Sequence, residues 1–103
     1  MNEQAEAVKQ RTKQFALDVI SLVRTFPSGE QSWTVGGQLT RSGTSVGANY
    51  RSACRAKSHP DFVAKIALVE EESDESGFWL EIVKEAGLAS AAIVDPLLKE
   101  PTN

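Results

Sequence analysis

Few side chains in this 103-residue chain are placed to do chemistry, and most of them stand apart. Cys54 and the serines would need a base beside them to act as nucleophiles. The single histidine, His59, sits beside Pro60 in a predicted turn, where a solvated or capping role suits it better. Gly36-Gly37 lacks the lysine and the spacing of a phosphate-binding loop and reads as a packing feature. A carboxylate-bridged metal centre in a helical bundle takes a Glu from each of two helices and Glu-x-x-His from two others. Glu72-x-x-Glu75 offers the acids, but no histidines accompany them, and Glu70, Glu71 and Asp74 alongside make a solvated or ion-paired face. No catalytic residue, metal ligand or cofactor is expected.

Two other sets carry binding chemistry. At about 100° per residue, Arg41, Arg51 and Arg55 fall within an arc of about 80° on one helix face, nearly opposite Leu39, Val46 and Ala53. With Lys57 following, such an outward stripe can neutralise phosphates, and Thr44, Ser45 and Ser52 on the same face can donate to phosphate oxygens. The competing reading pairs these cations with the acidic third helix of a neighbouring subunit, and a pI of about 5.1 favours it over nucleic acid. Ser42 and Asn49 face inward by phase, and buried polar groups need partners. Ser73, Ser76 and the core-flanking Glu72 lie on the helix placed to supply them. The expected result is a polar network that sets register between helices.

These residues must be positioned by helices. Ala5, Val8, Thr12, Phe15, Val19, Leu22 and Phe26 recur at steps of three and four, a seam that no strand can use, and Pro27 with Ser28-Gly29 ends it. A first helix over about 5–26 follows. A second, over about 31–57, keeps Leu39, Val46 and Ala53 seven apart despite four glycines that disfavour it by propensity. Gly43 and Gly47, four apart, would let another backbone approach closely. Ser58-His59-Pro60-Asp61 announces a third helix over about 60–86, with Ser58 as cap, Asp61 completing a capping box, and Gly87 as terminator. Pro96 and Pro101 limit the fourth to a short piece over about 89–100. Short connections make sequential helices antiparallel neighbours. The expected fold is all-α: one domain over 1–103, an antiparallel up-down four-helix bundle with a short or truncated fourth helix.

Composition agrees with a folded domain. Apolar residues are 41% and charged residues 24%, which excludes a disordered chain, and no apolar run is long enough to span a membrane. The N-terminus lacks a basic flank leading into an apolar stretch, and a lone cysteine suits a reducing compartment, so a cytoplasmic protein is expected. The net charge of -3 hides an asymmetry: residues 1–57 carry eight Lys/Arg against four Asp/Glu, and residues 58–103 carry three against ten. The two halves attract, within one chain or between chains.

The run Gln38-Leu39-x-Arg41-Ser42-x-x-Ser45-Val46-x-Ala48-Asn49, then Asp61-Phe62 and Glu72-x-Asp74-Glu75-Ser76-x-x-Trp79-Leu80, resembles a bacterial four-helix bundle family. That family was named for open reading frames in intervening sequences of 23S ribosomal RNA genes. The likeness covers about residues 8 to 98, with Pro27, Glu30 and Asp95-Pro96-Leu97-Leu98-Lys99-Glu100 joining it. It implies a bundle that assembles into a homopentameric ring and has no catalytic activity. It also implies kinship with accessory proteins of diversity-generating retroelements, which bind nucleic acid and a reverse transcriptase. Arg41, Ser42, Ser45, Asn49, Glu72, Glu75 and Trp79 are the signature residues carried over, with structural roles. Position 52 is Ser where many members carry Glu. The fourth helix usually continues past Glu100, whereas Pro101-Thr102-Asn103 reads as a terminator, so apolar seams of helices 1 and 3 are expected to be left for subunits to cover.

Two functions fit these features. One is an oligomeric scaffold or adaptor for a protein partner; the other is a nucleic-acid-binding accessory protein for structured RNA or single-stranded DNA that uses the arginine stripe.

Overall fold

A computed structural model describes residues 2–99. They form four helices, α1 (Glu3–Val23), α2 (Glu30–Cys54), α3 (His59–Glu85) and α4 (Ala91–Leu98). α2 packs on both α1 and α3, and α4 closes the square against α3 and α1, which stand at diagonal corners with their backbones apart. Val19, Leu39, Leu80, Val83 and Val94 meet at the centre with no exposed surface.

The close packing of α1 on α2 depends on residues that lack a side chain. A Cβ added at Gly43 would lie 3.0 Å from Val19 Cγ2, and one at Gly47 3.2 Å from Thr12 Oγ1. The small residues four apart therefore do admit a neighbouring backbone, and α1 is that neighbour. This packing offsets the poor helix propensity of the glycines, so α2 is helical through the segment that propensity alone would leave as a loop.

Helix ends follow their local chemistry. Ser58 Oγ accepts the Asp61 N–H at 3.1 Å and starts α3 as expected, but the Asp61 carboxylate reaches past Ser58 and accepts the Lys57 N–H at 3.1 Å. Gly87, at φ 77°, ends α3. Its N–H bonds Lys84 C=O and that of Leu88 bonds Val83 C=O, the paired bonds of a left-handed helix stop. Two expected ends are corrected. α1 stops at Val23 and not at about 26, because Thr25 and Phe26 donate to the carbonyls three residues back and tighten the last turn. α2 stops at Cys54 and not at about 57, with Arg55 as its C-cap at φ -111°. Expected residue Glu100 of the fourth helix lies outside the described residues.

The short fourth helix decides where the core is. α4 has 8 residues against 21 in α1 and 27 in α3, so at about 1.5 Å per residue it spans less than half of the fourth edge among the described residues. The seams of α1 and α3 are accordingly dry only in their C-terminal halves. Phe15, Val19 and Leu22 are buried while Ala5, Val8 and Thr12 are half-buried; Ser76, Leu80 and Val83 are buried while Phe62, on the same seam, is 40% exposed.

Candidate functional site

The inward-facing serines meet as the seam phase requires. Ser42 on α2 and Ser76 on α3 are both wholly buried, with their hydroxyl oxygens 3.0 Å apart. Ser76 also reaches its own helix at Glu72 C=O, 2.8 Å, and Ser42 reaches Leu39 C=O at 3.3 Å. Two hydroxyl protons serve three contacts, so two bonds exist at a time. Ser42 donates to Leu39 C=O, and the Ser76 proton goes either across to Ser42 or back to Glu72 C=O. Either way no buried side-chain polar atom among the described residues lacks a partner.

Above this pair, at the surface, Arg41 forks between two carboxylates of α3. Its Nη1 donates to Glu72 Oε1 at 3.2 Å and its Nη2 to Glu75 Oε2. Glu75 Oε2 also accepts the Trp79 indole N–H at 3.0 Å. The indole bond and then the Arg41 guanidinium hold the Glu75 carboxyl below its ordinary value of 4.5, and the same bond raises Arg41. Trp79 is half-buried and meets the edge of Phe78 at 5.0 Å between ring centres. Its role as the donor that orients Glu75 was not legible in the sequence, although its spacing of four from Glu75 is the signal that could have shown it.

The remaining expected members fall elsewhere. Ser45 donates to Arg41 C=O at 2.7 Å and Asn49 to Ser45 C=O at 3.0 Å, both within α2. Ser73 is half-buried and takes no part in the interhelix bonds. The register-setting network is thus Arg41, Ser42, Glu72, Glu75, Ser76 and Trp79, and does not run on through Ser45, Asn49 and Ser73. Along the arginine stripe, Arg41 is exposed on α2 and turns to α3 of its own chain, Arg51 is exposed on α2, Arg55 stands exposed at the C-cap of α2, and Lys57 lies exposed in the loop beyond.

A second feature lies along the seams of α1 and α3 that the short fourth helix leaves open. Below α4, a groove of about 760 Å³ opens between the N-terminal halves of α1 and α3, lined by Ala5, Val8, Tyr50, Ala53, Cys54 and Phe62 among others. Burial, and then Cys54 beside it, push the Tyr50 phenol up. His59 is exposed and does not line this groove, so Cys54 has no imidazole beside it there. Among the described residues no group of three His, Cys, Asp or Glu is placed to hold a metal ion, and no helix is long and apolar enough to cross a membrane.

The bundle has relatives. A crystal structure from Bacteroides thetaiotaomicron, of a protein with unknown function from the S23 ribosomal protein family, superposes with a TM-score of 0.85 at 28% identity. The match covers 92% of this chain and 88% of that one. No curated protein matches the chain. Residues 4–103 match the model of the family described as 23S rRNA-intervening sequence protein, nearly the whole length, and carry the seam residues within the match. The chain belongs to the 23S rRNA-intervening sequence protein family.

Proposed function

We propose that this protein is a non-enzymatic scaffold or adaptor that acts as an oligomer, a homopentameric ring by family resemblance. The observation that carries this reading is the open fourth edge. Apolar surface of this kind, with Phe62 40% and Val63 52% exposed, is what subunits cover on association. Ser42 and Ser76, the buried polar side chains among the described residues, are spent on helix register, which fits a part whose work is to hold shape. A cytoplasmic setting suits the reading.

Assembly that buries part of the open edge makes stability depend on chain concentration. Thermal melts over a hundredfold concentration range therefore show a midpoint that rises with concentration. A midpoint that does not move contradicts the proposal. The alternative is a nucleic-acid-binding accessory protein, supported by Arg51, Arg55 and Lys57 gathered at the end of α2. Its binding to structured RNA or single-stranded DNA would fall steeply with salt. Loss of Arg41 to the ion pair with Glu72 and Glu75 shortens the stripe that this alternative needs.

A further inference from the structure

Two charged surfaces of the chain have no counterpart within it. On the outer side of α1 and α2 a cleft of about 330 Å³ is floored by Ala16, Gly47 and Ala48 and rimmed by Lys9, Lys13 and Arg51. Lys9 is bridged to Glu6, whereas Lys13 and Arg51 make no ion pair among the described residues. On α3 the exposed carboxylates Glu70, Glu71, Asp74 and Glu81 likewise make none. At about 100° per residue, Glu70, Asp74 and Glu81 stand about 80 to 120° round the helix from inward-facing Leu80. That is the flank away from Glu72 and Glu75, which face α2. The ridge is continuous with the open edge of α3 through exposed Val63, and the small exposed side chain of Ala67 lies just before its first acid, Glu70.

The cleft and the ridge lie on different sides of one bundle, so they cannot satisfy each other within a chain. They match in charge, cations on the rim of the cleft facing acids along the ridge. We propose that the occupant of the cleft is a second copy of this chain, seated by its α3 ridge. The contact joins two different faces and is therefore head-to-tail, the kind that closes into a ring when its rotation allows. Lys13 and Arg51 of one copy meet Glu70 and Asp74 of the next, and apolar Val63 leaves water at the margin. This inference rests on the oligomer reading and names the surface by which it assembles.

Reciprocal charge reversal tests it. One variant carries Lys13→Glu and Arg51→Glu, a second Glu70→Lys and Asp74→Lys, and a third all four changes; every site is exposed, and circular dichroism checks that each variant is folded. With masses measured at equal micromolar concentration, each double variant is expected as monomer and the fourfold variant at the wild-type mass, since reversal of both faces restores attraction. Double variants that keep the wild-type mass overturn the proposed surface while the oligomer stands. A fourfold variant that is folded but monomeric overturns it too. A wild-type monomer overturns the oligomer reading itself. Loss of oligonucleotide binding in the Lys13/Arg51 variant with its mass unchanged gives the cleft to nucleic acid and not to a second copy.

Discussion

The contact between Ser42 and Ser76 joins two helices through groups that a purely apolar core would not need. Each hydroxyl retains a carbonyl of its own helix if the other is removed, so neither Ser42→Ala nor Ser76→Ala strands a buried donor. Each single change is expected to cost about 1 kcal/mol, and the double change clearly less than the sum. Urea unfolding of the four proteins in that cycle checks it; strict additivity would show the pair to be uncoupled. Glu75 makes a second prediction. Its folded carboxyl titrates below its ordinary 4.5, so its stabilising share is present above that value and lost as pH falls through the lowered one. Asp61, held down by Lys65 and by the Lys57 N–H, adds to the same acid limb. Glu75→Gln should therefore flatten, without abolishing, the loss of stability between neutral and acid pH, as urea melts at stepped pH would show. The inward phase of Ser42 and Ser76 was legible from spacing. The turn of Arg41 toward its own α3 was not, because a long side chain at the edge of a face can reach either way and only the neighbouring helix decides.

At the scale of the helix, glycines in one element do opposite work. Gly43 faces Val19, where an added Cβ would press on a wholly buried side chain, while Gly37 has nothing within 4 Å. Gly37→Ala should raise the melting temperature by the helix-propensity gain, about 0.5 to 1 kcal/mol. Gly43→Ala should lower it, the crowding of Val19 outweighing the same gain. Melting curves of the two variants decide this, and a stabilising Gly43→Ala would mean that α1 moves away at little cost. Helix starts and stops were readable where a cap or a left-handed glycine marks them, as at Ser58 and Gly87. They were misjudged by three residues at the ends of α1, where the seam spacing runs on to Phe26 past the last helical turn, and of α2, where no glycine or proline marks the stop after Cys54. The depth of the core was likewise hidden: Phe62 and Leu80 share a phase on α3, yet only Leu80 lies opposite α4.

The whole molecule is a bundle closed at one end and open along part of its fourth edge. Its dry core sits where all four helices overlap, and the groove beside α1 and α3 begins where α4 stops. Charge is distributed on the same plan, with an unpaired cationic cleft on one side and unpaired acids on another. The charge split between the chain's two halves was plain in the sequence. Its destination was not, since helix phase places an acid on a flank without saying which flank a neighbour already occupies. Glu72 and Glu75 are spent inside the chain, and Glu70 and Asp74 are left over. The proposed function stands on these surfaces being covered by assembly. Static light scattering on the unmodified chain at micromolar concentration measures that directly. A particle of several times the 11.2 kDa chain, five times for the ring that the family resemblance implies, is the predicted result. A particle of one chain's mass, unchanged on raising the concentration, would contradict it.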